Sequence, residues 1–534
     1  MTHLQNARKL AAAALLLKFA AGCTNDGTAP APDDSVENLQ AAASVTSEHS
    51  KKLEHDIQKF CGACHETPRA DSFPREAWYD EVKRGFNFYY DSGRRDLTPP
   101  PQTEVVAWYR AQAPEKLPMP DQPEVDSKSV QFRPTEIVAP QFISDGPLAV
   151  SFIDLLTIDG NDGIWVSDMR SGITGLLPTS DLLNNHHDNS IQSQLKLSFS
   201  GLTANPAAVR EVDLDGNGVN DLVLSDLGSF LPQDHDRGKV VWIPDGTSST
   251  KREPVTVIEK IGRVADILPM DVDADGDLDL IVGSFGWHKT GGVYVVYNDK
   301  SSSGTDLTFR SVKVDERPGS IHILPAELNN DGRPDFMALI SQEHEEITAY
   351  LNLESGFEKK PLYEAPDPSW GSSGMQQVDL DADGDLDIIY TNGDTFDSYV
   401  VKPYHGVWFL ENTGTLPFAA HHIAAMPGVH RALAHDLDGD GDLDVAAAAL
   451  LPTASARGVD VSNMHSVVWL EQVKPGQFDR HVISKGRPTH AAMAIGDLNH
   501  DGRPELIVGS FQEEPSDSAP VVTVFWNEPK PPHQ

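Results

Sequence analysis

Two stretches of the chain place reactive residue types at spacings that matter. The first is Asp271-Val272-Asp273-Ala274-Asp275-Gly276-Asp277-Leu278-Asp279, which runs into an apolar segment. Side-chain oxygens at positions one, three and five converge only if the chain turns tightly, and Gly276 permits the positive φ such a turn needs. A backbone carbonyl at position seven and the acid at position nine then complete an all-oxygen shell. Shells of this kind suit hard cations, and the spacing is that of a calcium loop. The second stretch is Cys61-Gly62-Ala63-Cys64-His65. Two thiols three residues apart can add to the vinyl groups of a porphyrin, and the adjacent imidazole then reaches the iron. This is the attachment signature of one covalent c-type haem.

The acidic phrase recurs. Asp213, Asp215, Asn217 and Asp221 form one copy around Gly218, and Glu327, Asn329, Asp331 and Asp335 form another around Gly332. Asp379, Asp381, Asp383 and Asp387 follow, then Asp436, Asp438, Asp440 and Asp444, and finally Asp497, Asn499, Asp501 and Glu505. With Asp271, Asp273, Asp275 and Asp279, the spacing predicts about six calcium ions. First residues of successive copies stand 52 to 61 apart. One acid-rich loop can be a solvated turn; six in register argue for a repeat. Counting back 59 residues from Asp213 reaches Asp154, where the spacing persists without the ligands.

The haem motif has two rivals, a zinc site and a redox dithiol. The chain has three cysteines, and the third, Cys23, is needed elsewhere, so no second ligand pair completes a zinc site. The proximal ligand is then His65. Met119, in Lys-Leu-Pro-Met-Pro, is the candidate sixth ligand; an open distal side or His55 are the alternatives.

Residues 1–23 carry a basic start, Arg8 and Lys9, and a short apolar stretch too short to span a bilayer comfortably. A secretory signal is expected. Its end, Ala20-Ala21-Gly22-Cys23, resembles a bacterial lipobox, with alanine where leucine is usual, and implies lipidation of Cys23 and a membrane anchor that does not span. Residues 24–50, rich in Ala, Ser, Asp and Thr, read as a flexible tether. A formal net charge of −38 excludes nucleic acid as a partner, because its phosphates demand clustered Lys and Arg.

The elements that position these groups follow from the intervals. Helical patterns flank the haem motif and recur in Thr-Glu-Val-Val-Ala-Trp-Tyr-Arg, so 51–125 is expected to be a small all-α haem domain. After each acidic loop comes an apolar run, then a strand with an aromatic (VVWIPD, VYVVYN, ITAYLN, VWFLEN, VVWLEQ, VTVFWN), then a strand opening on phenylalanine. Short strands at this period predict blades of an all-β propeller over 130–534. The last repeat lacks its final strand, which Phe132–Val138 can supply. Such closure removes an open sheet edge and makes seven blades.

The repeats resemble FG-GAP/VCBS repeats, the calcium-binding blades of integrin α-subunit propellers and of many bacterial surface proteins. The front segment resembles the single-haem cytochrome c domains fused to such propellers in some bacterial exported proteins. The resemblance implies the multidomain fold, the haem and the calcium; it supplies no reaction.

Function is therefore read as electron transfer by a tethered, exported c-type cytochrome of the cell envelope. The propeller would serve as the platform for a redox partner protein or an extracellular ligand. Two other readings stay open: an oxidoreductase acting on an extracellular substrate such as a carbohydrate at the propeller axis, and an adhesion scaffold. No nucleophile elbow, P-loop or dinucleotide fingerprint names a reaction. Arg263, His322, His430, Arg431 and His490 fall at comparable offsets before the loops, with His435 and Trp370 nearby, and could converge on the axis. With 20 histidines in the chain, repeat ancestry alone also places some in equivalent positions.

Overall fold

Each of blades 2 to 7 begins with a half-buried strand, turns at the acidic loop, and returns along a strand buried at every residue. The returning strands are Asp221–Asp226, Asp279–Ser284, Asp335–Ile340, Asp387–Thr391, Asp444–Ala449 and Glu505–Gly509. A continuous apolar run fits this place because both faces of the strand meet neighbouring blades. The aromatic strand pairs next, and the phenylalanine-led strand forms the outer edge. In blade 3, for example, Val264–Met270, Asp279–Ser284, Gly292–Lys300 and Leu307–Asp315 pair antiparallel in that order.

The structure is a computed structural model that describes residues 36–530 apart from 64, 128, 143–145, 159, 186, 249–252, 301–306, 397, 453–459 and 517. Residues 1–23, read above as a secretory signal ending at Cys23, lie outside the described residues, as does Cys64. The described strands make seven sheets, six of four strands and one of five, and the molecule is a seven-bladed β-propeller. The innermost strands are Val150–Ile158, Pro206–Val212, Val264–Met270, Ser320–Ala326, Gly374–Val378, Val429–His435 and Met493–Gly496. Each packs against the next, and the last against the first. Apolar clusters fill the wedges between blades; one joins Val223 and Trp242 of blade 2 to Ile267 and Val282 of blade 3.

The ring closes with β1 (Val130–Val138), which pairs antiparallel with Val522–Pro529 in the last blade. Trp526 Nε1 donates to Thr135 Oγ1 at 3.0 Å across this seam, and both side chains are buried. Ser190–Gln192 then adds in parallel to the outer side of β1. Blade 1 has no acidic loop. Asp154 lies within its innermost strand, paired with Trp165, and that pairing with the returning strand runs on to Ile158 and Asn161.

The chain divides into two units, residues 1–52 and 53–534. Helix α1 (Val36–Cys61) begins inside the stretch read as a tether, a correction to that expectation. Its Ala, Leu, Glu and Gln residues are good helix formers, which outweighs their low hydrophobicity. Within the second unit, α2 (Trp78–Asp91) and α3 (Gln102–Gln112) pack with the end of α1. Trp78, Val82 and Phe86 lie four apart and bury one face of α2, while Val105 and Tyr109 do the same for α3. Trp78 and Tyr109 stack at 3.8 Å between ring centroids. Among the described residues, no helix is long and apolar enough to cross a membrane.

This helical segment sits on the propeller through Asp367. The carboxylate is buried; Oδ2 accepts from Arg69 N at 2.8 Å and Ser72 Oγ at 2.6 Å, and Oδ1 from Ser369 N at 2.8 Å. Lys402 lies over the Phe73 ring at 4.9 Å, and Lys289 Nζ donates to Asp91 O at 2.9 Å.

Candidate functional site

Six loops of one geometry line one end of the propeller, each between the first and second strands of blades 2 to 7. Backbone conformation comes first. Position six is left-handed in every copy, with φ of 89° at Gly218, 93° at Gly276, 79° at Gly332, 97° at Gly384, 101° at Gly441 and 86° at Gly502. Position four is left-handed too, at Gly216, Ala274, Asn330, Ala382, Gly439 and His500. Sequence reasoning missed this second reversal; its signal was the glycine at position four in two copies.

Two consecutive reversals fold the side chains inward. Oxygens of positions one, three and nine lie within 4.8 Å of one another in four copies: Asp213, Asp215 and Asp221; Asp271, Asp273 and Asp279; Asp379, Asp381 and Asp387; Asp436, Asp438 and Asp444. A cation with oxygens at about 2.4 Å has a shell about 4.8 Å across, so the spacing suits calcium. The copies starting at Glu327 and Asp497 carry Asn329 and Asn499 at position three, so their donors are mixed amide and carboxylate. In the blade 7 copy, Asn499 Nδ2 also reaches Glu505 Oε1 at 3.4 Å.

Position five also makes a contact within the turn. In every copy one oxygen of this side chain accepts from the amide at position seven: Asn217 from Val219 N at 2.7 Å, and Asp275, Asp331, Asp383 and Asp501 from their partners at 2.9 Å. Asp440 does so at 3.1 Å. Position five therefore ties the turn, and the four acidic groups consist of positions one, three and nine.

Position nine has a second task. It is the first residue of the buried strand, and its two oxygens bridge loop and sheet. Asp279 Oδ2 accepts from Val272 N at 3.0 Å and Oδ1 from Asn298 N at 2.8 Å. Asp335, Asp387 and Asp444 repeat this pair of contacts. Burial pushes these carboxyls up, against the pull of the two amides: Asp279 and Asp387 to about 6, Asp444 to about 7, and Glu505 to about 7. Like charges at positions three and five add to the rise at Asp279 and Asp387. Asp271 Oδ1 is buried without a hydrogen-bond partner. A buried, unpartnered carboxylate oxygen beside two further carboxylates fits a site that a divalent cation would complete.

The asparagine or glutamine that ends the aromatic strand is a structural residue the sequence reading passed over. Asn298 Nδ2 donates to Leu214 O of the preceding blade's loop at 3.1 Å, Asn352 to Val272 O at 2.7 Å, and Asn527 to Leu437 O at 2.6 Å. The repeated final residue in VYVVYN, ITAYLN and VTVFWN was the available signal.

At the other candidate site, Cys61 ends α1 beside a cluster of Phe60, Phe73, Trp78, Phe86 and Tyr109. Burial raises its thiol to about 11, partly offset by the Tyr109 hydroxyl nearby. Gly62 is required by space: an added Cβ would stand 2.6 Å from Gln58 O. His65 Nδ1 lies 2.6 Å from Glu66 O, so Nε2 is the nitrogen left to face a ligand. Tyr109 Oη is buried in the aromatic cluster, next to the Cys61 thiol. A thiol and an aromatic wall are compatible with haem at this place. Met119 lies in the segment after α3 with 42% of its surface exposed.

The residues expected at the axis separate into three groups. His322 and Arg431 meet, with Arg431 Nη1 donating to His322 Nε2 at 2.9 Å. His430 and His490 instead bond backbone carbonyls, Ala491 O at 3.2 Å and Gly509 O at 3.1 Å, and burial lowers both to about 4. Arg263 turns away to Ser229 O and Phe230 O, and burial lowers it to about 10. His435 is exposed, and Trp370 is buried against Tyr404 at 4.5 Å.

Fold and loops together define a seven-bladed β-propeller with acidic loops in six of its blades. The FG-GAP-like repeat family matches residues 271–338 and again 327–390. No curated protein matches the sequence. Among solved structures, Saccharomyces cerevisiae Sqt1 is similar with a TM-score of 0.39 and 10% identity, over 70% of this chain and 83% of that one. The N-terminal domain of Nup159 is similar with a TM-score of 0.42 and 11% identity, over 77% of this chain and 100% of that one.

Proposed function

We propose that the protein is an exported c-type cytochrome that passes electrons, with a calcium-stabilised propeller as its binding platform. The observation that carries the haem reading is Cys61-Gly62-Ala63-Cys64-His65 at the end of an amphipathic helix beside an aromatic cluster. Haem c, when bound, supplies one-electron chemistry. Cys61 and Cys64 would hold it covalently, His65 would take the proximal position, and Met119 is the proposed sixth ligand. The aromatic wall of Phe60, Phe86 and Trp78 would exclude water from that side.

The acidic loops would hold about six calcium ions, through positions one, three and nine. Charge supports this: clustered carboxylates repel one another without a counter-ion, and cations that bind the folded state alone stabilise it. Lipidation at Cys23 would anchor the protein in the bacterial cell envelope, within reach of a redox partner protein or an extracellular ligand.

The deciding experiment is an optical spectrum of the mature chain produced with haem c maturation factors. A reduced α-band that survives denaturation, and is lost in Cys61→Ala/Cys64→Ala, is expected. A near-infrared band that disappears in Met119→Ala would assign the sixth ligand. A chain that carries no covalent haem under these conditions would overturn the cytochrome reading and leave the propeller.

A further inference from the structure

We propose that the propeller axis holds a binding site for a small monocarboxylate, taken by the Arg431 guanidinium beside His322. Arg431, His322 and Asp266 occupy the same register, five residues ahead of their loops, on the innermost strands of blades 6, 4 and 3. Blades 2, 5 and 7 carry Ala208, Gly374 and Ala492 there. The small residue in blade 5 matters most. A Cβ on Gly374 would stand 3.4 Å from Arg431 Cδ, so the arginine lies across the glycine and reaches blade 4.

Asp266 acts on Arg431 through space, but its hydrogen bonds go elsewhere. Asp266 is buried, and Arg210 of blade 2 pairs with its Oδ1. Its Oδ2 accepts from Ile323 N at 2.9 Å and lies 3.7 Å from His322 Nδ1. Burial raises the carboxyl of Asp154, on the blade 1 strand, against the pull of Arg210. Arg431 is left with one hydrogen-bond partner, the imidazole of His322. Burial and the Arg431 charge both keep that imidazole neutral. A guanidinium with five N–H donors and one neutral acceptor has no carboxylate hydrogen-bonded to it.

The class of anion follows from geometry and charge. The planar fork of a guanidinium matches a carboxylate through two parallel hydrogen bonds. A monoanion brings a single charge to the guanidinium, whereas a dianion would bring a second one close to Asp266. Access is open, since the side chains of Arg210 and His322 keep 28% and 26% of their surface exposed. The inference goes beyond the electron-transfer reading and does not depend on haem.

The test is calorimetric titration of the full chain with sodium acetate, sodium sulfate serving as the dianion. Acetate is expected to bind at least tenfold more tightly than sulfate. Arg431→Met should weaken acetate at least tenfold, and Arg431→Lys, which keeps the charge without the fork, should fall between. A second measurement covers loss of folding in these variants. In wild-type chain labelled with ¹⁵N-histidine, the ring signal assigned by His322→Gln should move on adding acetate. No heat and no shift, equal binding by Arg431→Met, or sulfate binding as tightly as acetate would each overturn the proposal.

Discussion

Individual residues in the acidic loops carry strain that can be measured. Ala274 and Ala382 sit at φ of 60°, a region that costs a residue with a Cβ about 1–2 kcal/mol. Ala274→Gly is therefore expected to raise stability by about 0.5–1 kcal/mol after the added entropy of unfolded glycine is subtracted. Gly276→Ala should lower it by about 1–2 kcal/mol. Because nothing lies within 4 Å of a Cβ built at Gly276, that loss would be purely conformational. Thermal melts at saturating calcium would check both signs.

Asp315 offers a pH test away from the loops. Burial would raise its carboxyl, but Arg317, bonded at 2.8 Å, and the Tyr350 hydroxyl at 2.9 Å outweigh it and bring the pKa to about 2. A depressed carboxyl stabilises the fold above its unfolded pKa of roughly 3.9, and that contribution disappears as pH falls through about 2. The urea midpoints of wild type and Arg317→Met should thus differ most above pH 5 and draw together toward pH 2. A constant gap across that range would contradict the assignment.

At the scale of elements, each acidic loop joins the axial strand to the buried strand, and in three of them an asparagine of the next blade ties to the loop. Chelation should therefore loosen the whole ring rather than six separate turns. A site filled at a hundred times its dissociation constant adds about 2.7 kcal/mol, so removing calcium should lower the melting temperature by many degrees. Magnesium, which demands tighter octahedral geometry, should restore less of it. Asn298→Ala removes a buried side chain that donates to Leu214 O and Leu278 O, and is expected to cost about 1–3 kcal/mol. Urea denaturation with calcium held constant would measure it.

For the whole molecule, closure and docking are decided by contacts between residues far apart in the chain. Thr135→Val leaves the Trp526 indole N–H without its acceptor in the β1 seam and should cost about 1–3 kcal/mol. Asp367→Ala strips the buried acceptor from Arg69 N and Ser72 Oγ. It is expected to free the helical segment, read as faster proteolytic cleavage between α3 and β1 while the propeller's melting transition stays in place.

Much of this architecture was legible in the residues themselves. Alternate carboxylates, a glycine and an apolar run demand a turn and a buried strand wherever they occur, and six copies at a near-constant interval demand a ring of blades. Both are local chemistry repeated, so spacing alone reveals them. The left-handed position four was visible only in Gly216 and Gly439, because alanine, asparagine and histidine fill the same conformation elsewhere under the constraint of the fold. Which oxygens converge was decided in three dimensions: position five spends one oxygen on its own turn, and position nine divides its own between loop and sheet. The axis shows the same limit most clearly. Equivalent offsets proposed that Arg263, His322, His430, Arg431 and His490 meet, yet only His322 and Arg431 do. Repeat register sets the height of a side chain along the axis, but its reach depends on the neighbouring blade, and there Gly374 leaves the room that Arg431 crosses.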